Sequence, residues 1–139
     1  MPRLTRYFIK AALVYFVLGL LVGVLLVAGS VIPVPPQVAT LFPVYLHLLV
    51  VGWITQLIAG VAYWMFPKYS KESPRGNERL SWGVFILLNV GLVLRIIAEP
   101  LVSGQPGGVM GWLLAVSAVC QLLAGWGFVF NIWTRVKER

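Results

Sequence analysis

The chain has 139 residues, of which 60% are apolar and 11% charged, and its mean hydropathy is +0.90. Soluble domains carry roughly 25% charged residues, so a water-soluble globule is excluded. The length suits one domain, and four membrane spans of about 20 residues with short connections use nearly all of it, leaving no room for an extramembrane catalytic domain.

The first span is expected from about Tyr7 to Ile32, apolar except for Lys10, whose long stem reaches headgroup depth. It is too long for a signal-peptide core and has no small-x-small cleavage site, so no cleavable leader is expected. Pro33, Pro35 and Pro36 stop it and make a loop to Thr40. The second span is expected over about Pro43–Phe66, ended by Pro67, and a polar, basic loop runs from Lys68 to Arg79. The third covers about Leu80–Glu99 and stops before Pro100. A neutral, turn-rich Ser103-Gly-Gln-Pro-Gly-Gly108 leads to the fourth, about Val109–Thr134. The expected fold is an all-α integral membrane four-helix bundle forming one domain over 1–139.

The net charge of +7 resembles a nucleic-acid signal until its positions are read. Arg3, Arg6 and Lys10, then Lys68, Lys71, Arg75 and Arg79, then Arg135, Lys137 and Arg139 each sit at the end of an apolar stretch. The two loops on the other side hold no Lys or Arg. The positive-inside rule therefore puts both termini and the 68–79 loop in the cytoplasm, in a multi-pass protein of the cell inner membrane. Tyr7, Phe8, Phe42, Tyr45, Trp64, Phe66, Trp82, Trp112 and Trp133 lie near the span boundaries, as an interfacial aromatic belt requires. Cys120 is the only cysteine, which excludes an intrachain disulfide and a Cys-based metal site. Met65 and Met110 differ too much in depth to form a soft-metal site together.

Ionisable and amide side chains within the spans carry the functional information. They are His47, Gln56, Asn89, Arg95, Glu99, Gln121 and Asn131, with Thr55. Span two enters and span three leaves on the neutral side, so His47, Arg95 and Glu99 share one half of the membrane. At about 100° per residue, His47, Val51, Ile54, Ile58 and Val61 make one aliphatic stripe. Gly52, Gln56 and Gly60 lie opposite, a small-residue face suited to close helix packing. An imidazole projecting from an aliphatic surface suits a flat hydrophobic macrocycle held by one nitrogen–metal bond. On that reading His47 is the metal ligand, Val51 and Ile54 line the ring, Arg95 pairs with a propionate and Glu99 orients Arg95. The blander reading makes His47 an interfacial hydrogen bonder and Arg95–Glu99 a structural pair. Gln56, Asn89, Gln121 and Asn131 are expected to be interhelical hydrogen bonders.

The stretch from Leu46-His47 through Gly52-Trp53, Gln56, Gly60 and Tyr63-Trp64-Met65-Phe66-Pro67 resembles the second helix of haem–copper oxidase subunit I relatives. The similarity is to the nitric-oxide-reductase and cbb3-like branches and to small single-module members of that superfamily. Leu88-Asn89 to Glu99-Pro100 also looks like a helix of haem- and copper-containing membrane proteins linked to nitric-oxide tolerance. The resemblance implies that His47 ligates a haem b. It also defines a departure, since a full oxidase subunit of the family has at least six ligating histidines, three of them for copper and another for the active haem, and this chain has one. The implied function is electron transfer or diatomic-gas (O2 or NO) sensing without copper, and not a complete oxidase or reductase. A homodimer donating His47 twice, an open sixth position, or a ligand from another residue or a respiratory-chain partner would each complete the iron, the symmetric dimer being favoured. The rival is a cofactor-free accessory or assembly subunit of a respiratory membrane complex. A small channel or transporter is disfavoured because it needs polar residues through the whole depth and the inner half has few ionisable groups.

Overall fold

The computed structural model describes residues 1–69, 76–102, 108–133 and 135–136. The turn at 103–107, the end of span four at Thr134 and the basic positions Lys71, Arg75, Lys137 and Arg139 lie outside the described residues. Four helical segments are long and apolar enough to cross a membrane, and the chain is an all-α, multi-pass membrane bundle. Helix α1 covers Arg3–Ala28. Span two comprises a 3-10 turn (Pro36–Leu41), α2 (Phe42–His47), a π-helical stretch (Leu48–Thr55) and α3 (Gln56–Met65). Helix α4 covers Glu78–Ala98 with a 3-10 turn at Glu99–Leu101, and α5 covers Val109–Trp133.

The ends have local causes. Helix α1 stops at Ala28, short of the Ile32 expected from hydropathy. Ser30 there turns its hydroxyl onto the Val27 carbonyl, 2.7 Å away, and Val31 N–H bonds back only three residues, to Ala28. Helix α3 ends because Phe66 precedes Pro67 and is extended. Helix α4 starts two residues before the expected Leu80, capped by Asn77, whose side chain accepts from Leu80 N–H at 3.1 Å, with Glu78 in the first turn.

Helix α1 lies along span two and α4 along α5, while among the described residues α1 and α5 do not meet. The expected Gly52–Gln56–Gly60 face is the seam between α1 and span two. A Cβ on Gly52 would sit 2.8 Å from Tyr15, and one on Gly60 would sit 2.8 Å from Phe8. The α4–α5 seam is equally close at Gly91, where an added Cβ would lie 3.0 Å from the Ser117 carbonyl oxygen and 3.2 Å from Cys120 Cβ. Cys120 is thus a packing residue. Such approach replaces hydrophobic expulsion as the source of cohesion when the surroundings are lipid.

Toward the end bearing the N-terminus and the 66–77 connection (the basic end), a core of Leu4, Phe8, Ala59, Tyr63, Val84, Leu88, Ala124 and Ile132 draws on all four spans. Toward the opposite, neutral end a smaller core of Tyr15, Val44, Leu48 and Leu92 draws on three. Phe8, expected in the aromatic belt, is wholly buried and stacks edge-on against Phe85, because α1 begins four residues before Tyr7 and places this turn inside the bundle.

Between the two cores lies a polar node. Asn89 Oδ1 accepts from Tyr15 Oη at 3.0 Å and from Gln56 Nε2 at 3.3 Å. Its Nδ2 donates to Gln56 Oε1 and to the Phe85 carbonyl. Three spans are joined there, as expected for Gln56 and Asn89. Asn131 also bonds across helices, donating to Ser81 Oγ at 2.6 Å. Gln121 departs from expectation: it donates to Ser117 on its own helix, and Ser117 itself crosses to the Gly91 carbonyl at 2.6 Å. Gln121 nonetheless lines the Gly91 contact, where its Cγ would lie 2.9 Å from an added Cβ.

Candidate functional site

The π-helical stretch begins directly after His47. Such stretches are rare, and they cluster at functional positions. Here the backbone carbonyl of Val50 receives the Thr55 hydroxyl five residues on, at 2.8 Å. Widening the turn changes which residues align. The exposed row of span two is Leu46, Val50, Ile54 and Ile58, spaced by four, and not the stripe expected at 100° per residue. Val51 turns inward and packs against both cores, whereas Ile54 stays on the surface. Of the two residues expected to line a ring beside His47, only Ile54 is therefore on the outer surface.

His47 stands at the end of α2, its side chain about a quarter exposed. Its Nδ1 lies 2.9 Å from the Pro43 carbonyl oxygen, which can only accept, so Nδ1 carries the proton. In the neutral ring Nε2 then holds the free lone pair. A backbone carbonyl fixing one ring nitrogen so that the other can ligate is a common arrangement at metal-bound histidines.

Glu99 reaches the same place from the far end of α4, its Oε2 3.9 Å from His47 Nδ1. Its Oε1 accepts from Arg95 Nη1 at 3.2 Å, one helical turn below. The three residues picked out by depth are thus brought together by two different spans. Arg95 and Glu99 side chains are largely buried. Arg95 Nε and Glu99 Oε2 have no hydrogen-bond partner among the described residues. Buried charged groups left short of partners are costly, and a water, an ion or a functional role accounts for them where they occur.

A haem requires an axial nitrogen, apolar contact and cationic partners for its carboxylates. The residues present meet those needs on one side. His47 Nε2 holds the free lone pair of the neutral ring, Ile54 presents an exposed apolar side chain on the same span, and Arg95 retains a buried N–H. The chain offers one imidazole, and among the described residues no three His, Cys, Asp or Glu side chains gather as a metal cluster. The arrangement fits half of a haem site.

A further buried charge was hidden in the sequence. Arg135, one of the basic residues expected at headgroup depth, is only 1% exposed. Its Nε donates to the Pro67 carbonyl at 3.0 Å, and Nη2 donates to those of Phe66 and Tyr63 at 2.8 and 3.3 Å. It closes the carbonyl end of span two. A basic residue past a helix end looks the same in sequence whether it faces lipid headgroups or a neighbouring helix terminus.

Comparison with family models, with curated proteins and with solved structures returns no match to this chain.

Proposed function

We propose that this is a membrane-embedded haem b-binding protein related to haem–copper oxidase subunit I, acting in electron transfer or diatomic-gas sensing without a copper site. The observation that carries the reading is the His47 imidazole, locked by the Pro43 carbonyl with its second nitrogen free, beside the buried Arg95–Glu99 pair. A haem b there supplies one-electron redox chemistry or, with an open iron position, gas binding. His47 is the axial ligand, Ile54 contacts the ring, Arg95 faces a propionate, and Glu99 holds Arg95. A two-fold dimer brings a second His47 to the opposite face and completes the half-site.

In reduced-minus-oxidised spectra the purified protein is expected to show a b-type Soret band that carbon monoxide does not shift, since two imidazoles fill the iron. A shift with carbon monoxide would replace the shared haem by an open, gas-sensing one. A colourless protein at full expression would end the haem reading altogether. The rival then stands: a cofactor-free accessory or assembly subunit of a respiratory complex, favoured by the fact that Arg95 already has Glu99 as a salt partner.

The orientation follows from charge. In the sequence every Lys and Arg but Arg95 belongs to the two ends of the chain or to the 68–79 connection, so these face the cytoplasm of a cell inner membrane. A phosphatase fusion after Arg139, active only outside the cytoplasm, is expected to be silent. Activity from that fusion would reverse the topology.

A further inference from the structure

The basic end holds a feature unrelated to His47. A groove of about 1180 Å³ opens between the start of α4 and the last turns of α5. Its walls are Leu80, Leu123, Trp126 and Phe130, and Asn77 and Asn131 form its polar end. Gly127 makes the floor: α5 presses on α4 there so closely that an added Cβ would lie 2.9 Å from Val84. The large rings flanking Gly127 stand away from the protein, Trp126 at 69% and Phe130 at 78% exposure. At the polar end Gly76 takes φ of +73°, open to glycine at little cost. That turn brings Asn77 N–H within 3.2 Å of Asn131 Oδ1, which ties the start of α4 to α5 at this end of the groove.

The groove therefore faces the bilayer sideways, apolar along its length and polar only where it nears the membrane surface. That is the polarity of a phospholipid, with acyl chain along Trp126 and Phe130 and head group beyond Asn77. Charge decides the class of head group. Lys68 and Arg79 are exposed and adjoin the lining residues Tyr69 and Leu80, and among the described residues the one exposed carboxylate against them is Glu78. The neutral end has no Lys or Arg in its loops to offer an equivalent site. Basic recesses between membrane helices select anionic head groups, each Lys or Arg near the surface adding about 1 kcal/mol, or roughly fivefold in affinity.

We infer that this groove is a binding site for an anionic phospholipid, its acyl chain against Trp126 and Phe130 and its phosphate drawn to Lys68 and Arg79. The test uses the full-length protein in phosphatidylcholine vesicles doped with acyl-brominated phosphatidylglycerol or acyl-brominated phosphatidylcholine. Trp126 fluorescence is isolated as the difference between wild type and Trp126→Phe. Brominated phosphatidylglycerol is expected to quench Trp126 at several-fold lower mole fraction than brominated phosphatidylcholine. The preference is expected to fall roughly fivefold for each of Lys68→Gln and Arg79→Gln, exposed substitutions that leave the core intact. Equal quenching by the two lipids would overturn the site, and an undiminished preference in the double variant would overturn its assignment to these residues. Trp126 shielded from both lipids until the protein is diluted into excess lipid would show a second copy in the groove, which also overturns it.

Discussion

Replacing His47 by alanine is expected to remove the b-type Soret band from the purified protein and leave its helical content and expression unchanged. The side chain sits near the neutral end, and among the described residues its close polar neighbours are the Pro43 carbonyl and Glu99, the latter at 3.9 Å. Its loss therefore takes away the only imidazole nitrogen without opening the core. Glu99→Gln separates ligation from support. It keeps the imidazole, weakens the hold on Arg95, and should reduce haem retention by about tenfold, the lower part of the range for residues that orient a ligand. If His47→Ala binds haem as well as wild type, another atom is the ligand and the proposed site is wrong. If Glu99→Gln abolishes binding as completely as His47→Ala, the carboxylate does more than orient.

The second large effect is expected at Arg135. One guanidinium bonds three main-chain carbonyls at the end of span two, across 68 to 72 residues of sequence. Hydrogen bonds to a charged group contribute about 1.5–3 kcal/mol each, and water at the helix terminus would recover part of that after substitution. Arg135→Ala should lower the unfolding free energy in mixed detergent micelles by about 3 kcal/mol. Arg135→Lys, which keeps the charge but loses the planar fork, should restore less than half. Unfolding of Arg135→Ala within about 0.5 kcal/mol of wild type would show that these contacts are solvent-equivalent. A selective loss of haem with unchanged stability would instead tie Arg135 to the distant site.

Depth along a helix was readable from sequence because it depends only on counting from a boundary at 1.5 Å per residue. That counting places His47 and Glu99 near the same end, and they lie 3.9 Å apart. The small-residue face on Gly52 and Gly60 was legible for a similar reason, since only small residues allow such close backbones. Angle around the helix was not. The projection assumed a uniform turn, and Leu48–Thr55 has a wider one, so Val51 left the predicted surface and packs, half-buried, against the cores. Burial of Arg135 and Phe8 was equally hidden. Both lie at helix ends, where a residue's depth is certain but its facing depends on which neighbour reaches that level.

The π-helical stretch has one more consequence. The Gly-bearing half of span two must keep its rotational setting against α1, because Gly60 leaves no clearance there. The widened turn inserts an angular offset between that fixed half and the end carrying His47. The imidazole points toward Glu99 while both halves stay keyed to α1, the upper one where Leu49 meets Gly19 and Tyr45 meets Gly23. Aiming the side chain and sealing the bundle are thus met together on one continuous rod.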